Sequence, residues 1–196
     1  MKKMIIRINL WLIILATVSS CGYVKKQQKD FNGILEFQIN KTTIEDLDTR
    51  KYQIKEITIQ DGITDQIDKM GINSVTDWEL LCDGVKKFKI EDFKEGTIEF
   101  SSVTLTFYKD TLMEFSSSVN YETDDILRAK YPNYEYTSDD GNSSDEWYNQ
   151  SITARFHDDK KYGSFFSIYN TYKSIAIMTK SNKAKSAYIK KENKNL

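Results

Sequence analysis

The segment Thr97–Phe107 places apolar residues on alternate positions, first Ile98 and Phe100, then Val103, Leu105 and Phe107. Successive side chains of a strand point to opposite faces, so this pattern buries its apolar set only in a sheet with one face against a core. The two sets are out of phase at Ser101-Ser102, which predicts a bulge or break at that point. Tyr108-Lys109-Asp110 reads as a hairpin turn into a second strand, Thr111 to Ser116. Gln53 to Gln60 alternates less regularly through Ile54, Ile57 and Ile59. Further on, Ile152-Ala154-Phe156, a polar turn from His157 to Gly163, then Phe166-Ile168 and Ile175-Ile177 predict a meander of short antiparallel strands.

Helices announce themselves through their caps. Thr42 followed by Glu45 forms a capping box, with Ile44 and Leu47 on one face. Thr76 followed by Glu79 repeats the logic, with Val75 stapled onto Leu80 and Gly84 as the stop. A third helix is expected over Thr123 to Tyr131. Asp124 and Asp125 stand at its start, Arg128 and Lys130 near its end, and Pro132 terminates it. Ile63, Ile67 and Met70 before Gly71 offer a weaker fourth. The fold class is therefore α+β: a single domain, residues 31–180, with an antiparallel β-sheet meander and a few short helices packed on one face. Hydrophobic content of 39% and aromatic content of 13% suit a packed core rather than disorder.

The first residues carry an address. Lys2, Lys3 and Arg7 precede an apolar run of 11 residues, Ile8 to Val18, which matches a signal peptide and falls short of the ~20 residues that span a bilayer. The run ends in Val18-Ser19-Ser20-Cys21. Small residues directly before a cysteine resemble a bacterial lipobox, in which the Cys21 thiol accepts a lipid. An uncleaved anchor and an ordinary signal peptide are the competing readings. On the lipobox reading, residues 1–20 are removed, residues 21–30 form a tether, and two or three acyl chains hold the chain to a membrane. The mature chain then carries a charge of about −4 and one thiol, Cys82. Gly22 after the anchor, with no acidic cluster following, points to the outer membrane and its periplasmic side. Residues 181–196, rich in Lys, are expected as a flexible tail that frays in solvent, the alternative being contact with anionic headgroups or the cell wall.

Charge and motif content narrow the function. With 28 Lys+Arg against 29 Asp+Glu there is no basic excess for nucleic acid. One His and two Cys leave little for a structural metal. Neither Gly-x-Ser-x-Gly nor a phosphate loop nor a dinucleotide fingerprint occurs. His157 neighbours Asp158 and Asp159, yet adjacent strand residues face apart, which favours a solvated imidazole over a catalytic pair. Cys82, beside Leu80 and Leu81, reads as a core thiol ahead of a nucleophile. Asp139, Asp140, Asn142, Asp145 and Glu146 form the densest oxygen cluster; it departs from EF-hand spacing and reads as a polar loop ahead of a calcium site. Tyr134, Tyr136, Trp147 and Tyr148 flank that loop. Exposed, they would make a stacking surface or a protein-binding hot spot; paired across strands, they would be core.

Two further segments add a resemblance. Ile39-Asn40-Lys41-Thr42-Thr43-Ile44-Glu45-Asp46-Leu47 opens the domain, and Val103 to Leu112 leads on to Ile126-Leu127-Arg128-Ala129-Lys130-Tyr131-Pro132. This order resembles uncharacterised small lipoproteins of Gram-negative commensals. More distantly it is similar to the small outer-membrane-assembly lipoproteins that share the β-lactamase-inhibitor-protein fold, with Pro132 where that pattern carries Gly. The resemblance supplies no catalytic residues. A tethered compact domain with no catalytic constellation reads as a membrane-anchored, periplasm-facing lipoprotein that acts as a non-catalytic binding or scaffold module with a protein partner. An immunity or inhibitor lipoprotein that blocks a hydrolase or toxin is the alternative. No enzyme activity, cofactor or metal is expected, and the contact residues expected are Tyr134, Tyr136, Trp147 and Tyr148, beside lipidation at Cys21.

Overall fold

A computed structural model describes residues 32–34, 36–49, 51–59, 78–91, 93–139 and 141–192. The signal segment, Cys21, the whole tether, the helix expected around Ile63–Met70, the Val75-Thr76 cap and the last four residues lie outside the described residues. Those described belong to one compact unit.

The alternating segment is the spine of the molecule. β6 (Ile98–Tyr108) and β7 (Thr111–Val119) form a long antiparallel hairpin. Its pairing slips between Ser101 and Thr104, and Ser102 sits at a φ of +53°, so the bulge falls where the apolar phase changes. The slip lets Ile98 and Phe100 on one side of it, and Val103, Leu105 and Phe107 on the other, all be buried. Lys109 and Asp110 both take positive φ, +50° and +61°, which gives a two-residue turn whose twist matches that of the strands.

Nine described strands make one antiparallel sheet around this hairpin. On one side β6 pairs with β4 (Val85–Ile90), which pairs with β3 (Ile54–Ile57), while β5 (Phe93–Glu95) folds back on the start of β6. On the other side β7 pairs with β11 (Gly163–Asn170), followed outward by β10 (Ile152–Asp159), β9 (Asn142–Asn149) and β8 (Glu135–Asp139). The meander thus runs inward, from the sheet edge to its centre. Helix α1 (Thr123–Lys130) carries the chain from β7 to that edge, and Tyr131 and Pro132 end it. The molecule is α+β, an antiparallel sheet with few helices.

The main core gathers Phe100, Leu105, Phe115, Phe166 and Trp147, closed by Ile34 and Phe37 from a small ribbon of β1 (Gly33–Ile34) and β2 (Phe37–Gln38) and by Ile39 just after it. Phe100 meets Phe115 edge-on at 5.4 Å, and Phe37 lies 6.1 Å from Phe115. Helices were expected on one face. Leu127 of α1 joins this main core, whereas Ile177 of α2 (Thr171–Glu192) joins a separate cluster with Cys82, Val85 and Met113.

Several expectations need correction. The capping box sits one residue later than expected: the Thr43 backbone N–H and hydroxyl both donate to Asp46, at 2.7 and 2.8 Å. Thr42 is buried instead, where its hydroxyl donates to Glu36 O and accepts from Gln38 N. The helix beneath it is a short 3-10 turn, Ile44–Asp46. A second 3-10 turn, Trp78–Leu81, replaces the expected α-helix, and Gly84 at φ +80° follows it as the stop. The segment Asp139 to Glu146 is a hairpin, β8 to β9, and not a loop. The largest departure is at the end. Ile175-Ile177, expected as a strand, lies inside α2, and the Lys-rich segment from residue 181 is helical to Glu192. Asn170 starts this helix, its side-chain oxygen accepting from Lys173 N at 2.9 Å. Ile177 and Ser181 are buried one turn apart, and Tyr188 further along meets Trp78 at 5.7 Å.

Ile177 is the main apolar anchor of α2, so Ile177→Ala is expected to cost roughly 2–4 kcal/mol in urea unfolding. It should also raise amide exchange over residues 171–192 ahead of β6 and β7. Unchanged stability would show that α2 does not depend on this contact.

Candidate functional site

The site begins with the register of the edge hairpin. Tyr136 pairs with Asp145 and Ser138 with Ser143, while Glu135 pairs with Glu146 and Thr137 with Ser144. Side chains opposite one another share a face. Tyr136, Asp145 and Trp147 therefore share one face, and Glu135, Glu146 and Tyr148 the other.

Asp145 is 1% exposed, and a buried carboxylate requires a cation. Arg128 supplies it from the second turn of α1. Its Nε donates to Asp145 Oδ2 at 2.5 Å and its Nη2 to Oδ1 at 3.1 Å, a two-pronged pair. Nη2 also lies 3.0 Å from Asp124 Oδ2, one turn back along the helix. Burial pushes the Asp124 carboxyl up to about 7, helped by its hydrogen bond to Asp145 and that neighbour's charge, with Arg128 opposing. Its Oδ1 is buried without a hydrogen-bond partner. Two carboxyls thus share one arginine, and the protonated form of Asp124 is the one this setting favours. Arg128 itself is held more firmly charged, chiefly by its bond to Asp145.

The guanidinium then orders the aromatics. It lies over the Tyr134 ring at 5.2 Å and over the Tyr136 ring at 5.5 Å. Tyr134 is backed by Trp147, 5.8 Å away, whose indole N–H donates to Tyr131 O at 2.6 Å. Trp147 is 1% exposed and is a core pillar, so it does not offer the contact surface expected of it. Tyr134 and Tyr136, 36% and 55% exposed, remain available. Tyr148 is exposed but separate: its hydroxyl bonds Glu146, which also takes Arg155. The bond to Glu146 is the largest cause that pushes the Tyr148 hydroxyl up to about 12, followed by burial. The four aromatics expected together thus divide into Tyr134, Tyr136 and the buried Trp147 on one side, and Tyr148 on the other face. Cys21 lies outside the described residues.

Beside Tyr136 opens a cleft of about 510 Å³, walled by Ser138, Asp139, Asn142, Asp158 and Lys160. Gly141 at its turn has a φ of +102°, and a Cβ there would stand 2.8 Å from the Lys160 side chain. The adjacent acids expected to form an oxygen cluster are split, with Asp145 turned to Arg128 and Glu146 to Arg155. Among the described residues no group of three or more His, Cys, Asp or Glu could hold a metal ion. On the opposite side a smaller hollow of about 180 Å³ contains Ser144 and His157, whose Oγ and Nδ1 are 2.7 Å apart. His157 is therefore a half-buried hydrogen-bonded imidazole, not a freely solvated one. Cys82 is buried with its thiol directed at Ile177 O, 3.8 Å away, and burial pushes its pKa up. No described helix is long and apolar enough to cross a membrane. Comparison with known family models, curated proteins and solved structures gives no match.

The Arg128–Asp145 pair is not legible in the sequence because its members are 17 residues apart and the segment around Asp145 reads as a polar loop. The spacing Asp145-x-Trp147 held the clue. Once Trp147 is placed in the core on a strand, Asp145 must point the same way and demands a basic partner.

Asp124 gives a signed pH effect. Its pKa is raised on folding, so between about 4 and about 7 the folded chain keeps a proton that the unfolded chain releases. Its contribution to stability is complete below about 4, falls as pH rises through that window, and is lost above about 7. Urea midpoints of Asp124→Asn against the parent are expected to diverge with pH across this window, the variant gaining relative stability towards pH 8. Parallel profiles would contradict the assignment.

Proposed function

We propose that this chain is a membrane-anchored, periplasm-facing lipoprotein whose folded part is a non-catalytic binding module for a protein partner, with Tyr134 and Tyr136 as its contact anchors. One observation carries the reading: Arg128, locked onto buried Asp145, lies over two exposed tyrosines, Tyr134 and Tyr136, and the first of them is backed by the core Trp147. Tyr and Arg dominate binding hot spots, and side chains ordered in advance lose less entropy on association. The edge strand β8 beside them is exposed along its length and adds polar contacts at the rim. The anchor rests on Lys2, Lys3, Arg7, the apolar run and Val18-Ser19-Ser20-Cys21. Outer-membrane placement follows from Gly22 and the lack of an acidic cluster after Cys21. In the finer fold that goes with this reading, α1 lies against the sheet face that bears Phe115, Trp147 and Phe166, and so fixes the tyrosines at its edge.

Affinity purification of the full-length protein from gently solubilised membranes tests the surface. A stoichiometric partner is expected with the parent and with Tyr148→Ala, and its recovery should fall at least tenfold with Tyr134→Ala/Tyr136→Ala. Equal recovery with all three would overturn the assignment. Cys21→Ala is expected to abolish incorporation of labelled palmitate and to release the protein from the membrane fraction; persistent labelling would contradict the anchor.

A further inference from the structure

Helix α2 is strongly basic. Lys173, Lys180, Lys183, Lys185, Lys190 and Lys191 stand against Glu192 alone, a net +5 in a chain whose total is −1. Its inner side is settled by Ile177, Ser181 and Tyr188. Lys180 lies over Tyr108 at 5.8 Å and Lys185 over Trp78 at 5.4 Å, which spreads their alkyl stems across the flanks of the contact.

The outer side is unlike an ordinary solvated face. Tyr172, Ile175 and Met178, within two turns, are 70%, 53% and 54% exposed. Single exposed apolar residues are common, but a surface helix that packs through one stripe normally turns polar residues outward. Here three large apolar side chains occupy the first half of the exposed surface, and Lys180, Lys183, Lys190 and Lys191 are exposed further along. Exposed apolar side chains next to exposed lysines offer the two contacts a bilayer headgroup boundary accepts, apolar insertion and charge. Lysine excess selects the charge of that surface.

We propose that α2 docks on an anionic phospholipid bilayer, with Tyr172, Ile175 and Met178 entering the headgroup boundary and the exposed lysines binding lipid phosphates. This contact is distinct from the Tyr134–Tyr136 surface and from acylation at Cys21. If the acyl anchor is present, it makes the contact intramolecular and raises its effective concentration.

The test uses the full-length protein carrying a polarity-sensitive fluorophore on Ile175→Cys, with Tyr148→Cys as the comparison site. The protein is mixed with vesicles of phosphatidylcholine alone or with 30% phosphatidylglycerol. At position 175 the emission should shift to the blue, and brominated acyl chains should quench it at least threefold more, in the anionic vesicles only. At position 148 neither change is expected. Lys180→Gln/Lys183→Gln/Lys190→Gln/Lys191→Gln, or 0.5 M salt, should reverse the shift. Equal emission at position 175 in both vesicle types, or a shift that survives loss of the lysines, would overturn the proposal. Co-sedimentation with the neutral vesicles reports the acyl anchor separately, so failure of one contact is distinguishable from failure of the other.

Discussion

A carboxylate with 1% exposure, Asp145, sets the terms for one end of this molecule. A charge placed there without a partner would cost several kcal/mol. Arg128 meets it with two hydrogen bonds, and to do so α1 must lie against the outer strands. The same guanidinium then covers Tyr134 and Tyr136. One ion pair therefore connects a helix, a sheet edge and the exposed aromatics. Charge burial of this kind often contributes little net stability, since apolar residues of similar volume can do as well. Its consequence here is position: the tyrosines point where the arginine holds them.

That ion pair works because of the order in which the strands were laid down. The chain leaves β7 at the centre, crosses to the edge through α1, and returns inward through β8, β9, β10 and β11. Had β8 paired with β7, Asp145 would stand among the central strands, away from the edge. The return path instead puts Trp147 and Asp145 two residues apart on a strand next to the edge, with α1 above them. Elsewhere α2 closes a smaller cluster around Cys82 and leaves Lys183, Lys190 and Lys191 exposed.

Much of the centre was legible from the sequence because its information is local. The phase change at Ser101-Ser102, the Lys109-Asp110 turn, the limits of α1 and the stop at Gly84 each follow from a few neighbouring residues, and the structure has them all. What failed was set by distant contacts. Ile175-Ile177 has strand composition, but Asn170 caps a helix and Cys82, Val85 and Met113 receive Ile177 from far away in the sequence. Glu146 and Asp145 read as one acidic loop because a hairpin that carries charge on both faces has no apolar alternation to reveal it. At the site, Tyr134 and Tyr136 are exposed beneath the Arg128 guanidinium, whereas Trp147 is buried and Tyr148 belongs to another face; the charge of Arg128 near the end of a helix is legible locally, its partner Asp145 is not.

The role of Arg128 as the organiser of the sheet edge is most directly measured by residue-resolved amide exchange in Arg128→Lys. This change keeps the charge and removes the two-pronged geometry. Exchange over residues 133–139 and 142–148 is expected to accelerate at least tenfold while β6 and β7 keep their protection. Unchanged protection at the edge, or a uniform loss across the whole sheet, would contradict a local clamp centred on Asp145.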